Sequence, residues 1–318
     1  MRLGCHRGAM LIGHDAQVSQ FLDALSGGRM HHAWLLAGPK GVGKRAFADA
    51  AALRLLAGGG DGLLVDPEHP AARLVAAGSH MDHRVLQREV DEKGKVAAEI
   101  KVDQVRDLQP LFRTTPGLGD WRTVIIDSVD DMGRAGANAF LKNLEEPPRH
   151  TVFFLVSHAP GRLLPTIRSR CRMLRFGGLA EAEMRAVLRV VMPEADAAAH
   201  EELVALCDGS PGEALRYAGL DLKGLGVAID GVMRGSDAAA FARGFQAIGA
   251  AARFEALMAL GPRRVADAAR AAPSAAMIGL YERANGLCAG AVKLAYDRVQ
   301  VAFELATLLA QAGKLSGK

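Results

Sequence analysis

Seven residues in the first fifth of the chain have the spacing of a phosphate-binding loop. Two glycines and a lysine occupy the fixed positions of the pattern GxxxxGK in the run Gly38, Pro39, Lys40, Gly41, Val42, Gly43 and Lys44. Glycines let the backbone curl so that several N–H groups converge on phosphate oxygens, and the lysine adds a positive charge. The sequence therefore predicts a cradle that can hold the phosphates of ATP or ADP.

Two substitutions predict that this cradle is degenerate. Arg45 stands where a Ser or Thr hydroxyl would ligate Mg²⁺, and a guanidinium has donors but no lone pair for a metal. Asp127 ends an apolar run in the Walker B position, where a carboxylate stands near Mg²⁺. The next position would carry the glutamate that orients the attacking water, but here it is Ser128, and a serine cannot act as a general base at neutral pH. We therefore expect a chain that does not hydrolyse ATP by itself.

Nearby acidic and metal-ligating residues leave alternatives open. Asp130 and Asp131 either substitute for the missing base or cap the following helix, because acidic residues favour a helix N-terminus. His80 and His83, with Asp82 between them, supply too few ligands for a closed metal site. The four cysteines are far apart and form no CxxC pair, so we expect neither a disulfide framework nor a zinc site.

The elements that must position these residues follow from the apolar pattern. Short apolar runs at Ala33–Ala37, 123–126 and 152–156 predict buried parallel strands, and 44–56 and 102–111 predict helices between them. The charged stretch 84–95 predicts an exposed loop or hairpin. After about residue 176 the spacing is helical. The fold class is therefore an α/β domain with a parallel sheet and a phosphate-binding loop, followed by an all-helical part.

Composition narrows the functional classes. Half of the 318 residues are hydrophobic and 23% are charged, which is typical of a soluble globular protein. A net charge of +4 is too small for a protein that coats nucleic acid. No run of about 18 uncharged apolar residues occurs, and the segment 1–10 is not followed by an apolar run of signal-peptide length. We expect a cytoplasmic protein with no membrane partner.

Four segments of the first 180 residues carry a resemblance to a known family. They are Gly13-His14, His31-His32-Ala33-Trp34-Leu35-Leu36-Ala37-Gly38-Pro39, Asn138-Ala139-Phe140-Leu141-Lys142-Asn143-Leu144-Glu145-Glu146-Pro147-Pro148 and Leu163-Leu164-Pro165-Thr166-Ile167-Arg168-Ser169-Arg170-Cys171. With these segments the chain resembles the delta-prime family of bacterial DNA polymerase III clamp-loader subunits, which are AAA+ proteins, and the similarity runs in order through about 1–180. The resemblance implies an AAA+ domain over 1–178, a helical lid over 179–222 and a helical collar for oligomerisation over 223–318.

The resemblance also implies roles for single residues. Arg170 of Ser-Arg-Cys would enter the ATP site of a neighbouring subunit as an arginine finger, acting in trans. Ser157 would be a sensor of the γ-phosphate, or an ordinary residue at a strand end. Arg216, after a Gly-x-Pro-Gly turn, would point back across the nucleotide cleft, or lie on a helix surface. Many relatives carry a four-cysteine zinc module after the loop helix, but 53–77 contains no cysteine, so we expect no zinc.

The implied function is that of a non-hydrolysing stator and finger donor in a clamp loader. Its partners would be the delta and tau/gamma subunits and, through the complex, the sliding clamp and primed DNA. The chain itself would have neither ATPase nor polymerase activity and would require no cofactor. One alternative is a self-sufficient ATPase of the tau/gamma motor type. Another is a DNA-binding module that uses five arginines, Arg162, Arg168, Arg170, Arg172 and Arg175.

Overall fold

A computed structural model describes residues 11–92, 94–294 and 297–317 of the chain. Contacts between residues divide it into two compact units, Met1–Val191 with Asp208–Gly212, and Met192–Cys207 with Glu213–Lys318. The segment 1–10, for which the sequence predicts no signal peptide, lies outside the described residues. The division into domains at 178 and 222 stays a prediction.

The first unit is built on five parallel strands in the order β2-β3-β4-β1-β5. The three strands predicted from apolar runs are central in the sheet and are buried on both faces, as parallel strands covered by helices must be. In sequence order the strands are β1 (Ala33–Ala37), β2 (His83–Gln87), β3 (Arg122–Asp127), β4 (Thr151–Ser157) and β5 (Arg172–Arg175).

Helices cover both faces of this sheet. Alternate strand residues point to opposite faces, so Trp34 packs with Phe21 and Phe47 on one face, while Phe153 packs with Phe140 on the other. The first unit contains the helices α1 (Asp15–Ser26), α2 (Lys44–Ala57), α3 (Pro70–Ala76), α4 (Val102–Arg106), α5 (Gln109–Phe112), α6 (Arg134–Glu145), α7 (Pro165–Arg168) and α8 (Glu181–Val191). The predicted parallel α/β fold is confirmed.

Two local predictions need correction. The single helix predicted over 102–111 is two short helices, α4 and α5, because Pro110 has no N–H to donate to the carbonyl of Arg106 and is accepted only in the first turn of a new helix. The stretch 84–95 begins inside strand β2 before its exposed part forms a bridge between Val90 and Val96.

The second unit contains only helices among its described residues, as predicted. They are α9 (Ala197–Leu206), α10 (Pro211–Tyr217), which begins at the boundary between the units, α11 (Leu222–Met233), α12 (Ala238–Arg243), α13 (Ala251–Ala271), α14 (Ala275–Leu294) and α15 (Arg298–Leu315). Val301, Leu305 and Leu309 recur every four residues along α15 and are buried. None of the described helices has the length and apolar character that crossing a membrane requires.

The crossing of α11 and α15 predicts opposite effects for two glycine substitutions. A Cβ on Gly313 would lie 1.9 Å from the carbonyl oxygen of Met233, so Gly313→Ala should lower the free energy of unfolding by about 1–3 kcal/mol. Gly286 lies within α14 and a Cβ there meets nothing within 4 Å, so Gly286→Ala should raise that free energy by about 0.5–1 kcal/mol. Thermal unfolding of both variants measures this, and equal midpoints would contradict the close helix crossing.

Candidate functional site

The loop 38–44 connects the end of β1 to the start of α2 and has the backbone that a phosphate cradle needs. Gly41 and Gly43 adopt φ angles of 80° and 104°, which residues other than glycine rarely adopt. A Cβ on Gly38 would lie 2.1 Å from the carbonyl oxygen of Phe176, so the close approach of the two backbones requires glycine there. The shape of the loop therefore fits phosphate.

Lys44 is turned into its own loop. Its side chain is 2% exposed, and Nζ donates hydrogen bonds to the carbonyl oxygen of Gly38 at 2.7 Å and to that of Pro39. Burial lowers the pKa of Lys44 to about 8, although Asp130 and Asp127 act in the opposite direction. The lysine carries its positive charge at neutral pH beside the phosphate positions.

Arg45 occupies the place of the metal ligand and pairs with two carboxylates around it. Its Nε lies 2.8 Å from Oδ1 of Asp49, and its Nη1 lies 3.0 Å from Oδ2 of Asp127. Burial alone would lower the pKa of Arg45, but the two carboxylates raise it, so the guanidinium stays charged. A cation already pairs with the carboxylate that would approach Mg²⁺, so these residues do not fit a magnesium ion.

Asp130 joins the ends of strands β3 and β4. Its carboxylate accepts hydrogen bonds from Oγ of Ser128 at 2.7 Å, from Oγ of Ser157 at 2.8 Å, and from the backbone N–H groups of His158 at 2.6 Å and Ala159 at 3.2 Å. Ser157, the predicted γ-phosphate sensor, is fully buried and uses its hydroxyl hydrogen in this network. The network holds the loop after β4 against the loop after β3.

The two roles considered for Asp130 and Asp131 from sequence do not match these contacts. The side chain of Ser128 caps the 3-10 turn Val129–Asp131 by accepting from the N–H of Asp130, and Asp131 pairs with Arg88 at 3.1 Å. Burial would raise the pKa of Asp130, but its hydrogen bonds outweigh burial and lower it. Asp130 is thus a connecting carboxylate that stays ionised rather than a helix cap, and a base needs a higher pKa.

His14 is a residue of the cradle that sequence reasoning did not assign to it. Its Nε2 donates to the carbonyl oxygen of Val42 at 2.7 Å, and its ring packs edge-on against Phe176 with centroids 4.8 Å apart. The Gly13-His14 pair belongs to the part of the chain that resembles the family, but no local pattern connects it to a loop 28 residues later. The hydrogen bond of His14 to Val42 therefore helps to hold the phosphate loop in place.

The predicted arginine finger lies beside the C-terminal end of α6. Arg170 follows α7, and its side chain is 35% exposed. Its Nη2 lies 3.0 Å from Oε1 of Glu145, and its Nη1 donates to the carbonyl oxygen of Thr166 at 3.0 Å. Arg216 belongs to the second unit, where Nη2 lies 2.5 Å from Oε2 of Glu255. The structure therefore anchors both arginines to acidic residues of their own units.

The residues with metal-like spacing have separate partners. Asp82 accepts from the backbone N–H groups of Gly117 and Leu118, whereas His83 shares a 2.8 Å hydrogen bond with Oγ1 of Thr123. Burial, with the nearby Arg45 charge, lowers the pKa of His83 to about 4. Among the described residues, no three His, Cys, Asp or Glu side chains are grouped to hold a metal ion. That the protein carries no zinc stays a prediction.

Removal of the Asp130 carboxylate should destabilise the first unit. Asp130→Ala leaves two hydroxyls and two N–H groups without their acceptor, which should cost about 1–3 kcal/mol of unfolding free energy. Because its folded pKa lies below the ordinary value, this stabilisation is present above the unfolded pKa and disappears as the pH falls through the folded pKa. The deficit of the variant, measured by thermal unfolding at pH 7, should therefore shrink below pH 4.

Asp131→Ala is the matched control for that experiment. It removes a partly exposed ion pair, which is worth about 1 kcal/mol or less. If the two variants unfold at the same temperature, the assignment of Asp130 as the connecting carboxylate is wrong.

Comparison with known proteins shows the family to which the chain belongs. Residues 13–180, more than half of the chain, match the family model described as "DNA polymerase III, delta subunit". The chain is 43% identical over 195 residues to the delta-prime subunit of DNA polymerase III from Pseudomonas aeruginosa, a match that covers 61% of this chain and 58% of that protein. It is 33% identical over 198 residues to the tau subunit from Escherichia coli, covering 61% of this chain and 29% of that protein. The chain is thus a member of the DNA polymerase III delta-subunit family.

Proposed function

We propose that this chain is the delta-prime subunit of a DNA polymerase III clamp loader and that it supports ATP hydrolysis elsewhere without hydrolysing ATP itself. In this role it assembles with a delta subunit and with tau/gamma subunits, and the complex places a sliding clamp on primed DNA. Family membership and the 43% identity to a delta-prime subunit support this role. Because the aligned part spans 58% of that relative, the partners belong to the proposal.

The observation that carries the non-hydrolysing role is the ion pair between Arg45 and Asp127. A motor needs a hydroxyl and a carboxylate around Mg²⁺ and a base that orients water. Here Nη1 of Arg45 lies 3.0 Å from the carboxylate, and Ser128 replaces the base and bonds to Asp130. The glycine loop with Lys44 keeps a phosphate-shaped cradle, so ADP or ATP can bind there without a productive metal.

The motor alternative and the DNA-binding alternative are both less well supported. The tau subunit is a relative, but Arg45 and Ser128 remove the two groups on which hydrolysis depends. The arginines of 162–175 do not form one free basic face. Arg172 lies over the ring of Trp34 at 4.9 Å from its centroid, and Arg170 pairs with Glu145.

The part of the chain that acts on a neighbour is Arg170 in this proposal. A planar guanidinium can neutralise charge that develops on the γ-phosphate bound by the next subunit, with two parallel hydrogen bonds. Its partial exposure at the end of a short helix leaves it accessible to another chain. Ser157 remains a candidate nucleotide sensor of the chain's own cradle, with a reduced role because the metal site is lost, and the sensor role of Arg216 stays a prediction.

The purified chain should hydrolyse ATP no faster than a blank without protein. Its affinity for ADP should not depend on Mg²⁺, because the carboxylate of Asp127 is already paired with the guanidinium of Arg45. Arg45→Thr with Ser128→Glu restores the missing hydroxyl and carboxylate, so ADP binding by this variant should become tighter when Mg²⁺ is added, as calorimetry can measure.

Arg73→Thr is the control, since it removes an exposed arginine that pairs with Glu68 away from the cradle. Its affinity for ADP should equal that of the unmodified chain with and without Mg²⁺. Mg²⁺-dependent turnover by the unmodified chain, free of contaminating ATPases, would contradict the proposal.

Loss of Arg170 should impair the assembled complex and leave the subunit folded. An arginine finger can contribute about 10³–10⁵ in rate at its own site. Because the motor subunits would supply fingers to one another, Arg170→Ala should lower total DNA-stimulated ATPase only partly and clamp loading more strongly. Arg170→Lys should rescue poorly, because a point charge lacks the bidentate geometry.

The measurement uses a reconstituted complex whose assembly is verified by gel filtration. An assembled Arg170→Ala complex that loads clamps at the unmodified rate would show that Arg170 is not a finger. Equal clamp-loading rates for the Arg170→Lys complex and the unmodified complex would instead show that the positive charge at position 170 is sufficient and that the guanidinium geometry is not required.

A further inference from the structure

The carboxylate of Glu145 and the guanidinium of Arg170 form an ion pair between two motifs that are separate in sequence. Glu145 is the last residue of α6, in the Leu-Glu-Glu-Pro-Pro segment, and Arg170 stands in Ser-Arg-Cys, 25 residues later. Oε1 of Glu145 lies 3.0 Å from Nη2 of Arg170. The pair thus connects the end of a long helix to the arginine that follows a four-residue helix.

Stability does not explain the presence of Glu145. The pair is partly exposed, at 49% for the glutamate and 35% for the arginine, and such pairs contribute little to folding. A carboxylate in the last turn of a helix also faces the negative end of the helix dipole, which is electrostatically unfavourable. Glu145 therefore occupies a position that folding alone does not favour.

The local backbone gives Arg170 little support of its own. Helix α7 has one turn, so it cannot fix the four side-chain torsions of an arginine beyond its end. Two contacts do so, with the Thr166 carbonyl oxygen at Nη1 and with Glu145 at Nη2. Helix α6 is the firmer anchor, because Ala137, Phe140 and Leu144 fasten it to the sheet.

We propose that Glu145 is a positioning residue that holds the Arg170 guanidinium in the orientation required to enter a neighbouring ATP site. The inference rests on the proposed finger role of Arg170 and adds the element that orients it. A guanidinium has five N–H donors, and the contacts with Glu145 and Thr166 take two, so three remain for the γ-phosphate of the neighbour. Ordering the side chain before the encounter removes part of the entropy cost of capturing it.

The test compares five reconstituted clamp loaders that differ only in this chain. They carry the unmodified subunit, Glu145→Gln, Glu146→Gln, Arg170→Ala, or Glu145→Gln with Arg170→Ala. Glu146 is the matched control, because it is an exposed glutamate next to Glu145 and lies outside the pair. Glutamine keeps the shape of Glu145 and removes its charge. Clamp-loading rates at saturating ATP are measured after gel filtration has confirmed assembly.

We expect Glu145→Gln to lower the clamp-loading rate about 3–30-fold, less than Arg170→Ala does, while Glu146→Gln leaves it unchanged. In the Arg170→Ala background, Glu145→Gln should have no further effect, because there is no guanidinium to orient. A role limited to folding would give additive losses instead. The unfolding temperature of the isolated Glu145→Gln chain should stay within a degree or two of the unmodified value.

The outcomes separate failure of this inference from failure of the proposed function. If Arg170→Ala has no effect on clamp loading, the finger role itself fails and the inference falls with it. If Arg170→Ala impairs loading but Glu145→Gln does not, the finger role stands and the positioning role is wrong. Faster loading by Glu145→Gln would also overturn the inference, since it would mean that the pair restrains Arg170 instead of preparing it.

Discussion

Burial of the three central strands on both faces is the constraint on which the rest of the first unit depends. Strands β1, β3 and β4 are parallel, in a register that places Ala37 beside Ser157 and Asp127 beside Val156. Because helices cover both faces, polar chemistry is confined to the carboxyl edge, where the chain leaves each strand. The phosphate loop, the Arg45–Asp127 pair and the Asp130 network all lie at this edge.

Cations and carboxylates of the chain itself lie together at this edge. Lys44 and Arg45 supply two cations, and Asp49, Asp127 and Asp130 supply the carboxylates around them. Because Arg45 belongs to the chain itself, the carboxylate of Asp127 has a cationic partner that is not a metal.

The sequence predicted the features that depend on neighbouring residues and not those that depend on contacts between residues far apart in the chain. The apolar runs predicted β1, β3 and β4, and glycine spacing predicted the cradle, since both signals are local. Strands β2 and β5 were missed because they are the edges of the sheet, where polar residues such as Arg84 and Arg172 are exposed and interrupt the apolar pattern. Arg45 could be predicted to impair a metal site, but its pairing with Asp127 joins residues 82 positions apart. The carboxylate of Asp130 and the partner of Arg170 likewise follow from packing that no local pattern encodes.

A chain of short-range contacts leads from Asp130, at the carboxyl edge of the sheet, to Arg170. Asp130, anchored after β3, holds the N–H groups of His158 and Ala159 at the end of β4. The chain then passes through the 3-10 turn Pro160–Arg162 and helix α7 to Arg170, whose side chain returns to the end of α6. Each step is fixed by groups within the first unit. In the proposed role, therefore, loss of hydrolysis and retention of the finger are compatible, because the contacts that lead to Arg170 do not include the Arg45–Asp127 pair.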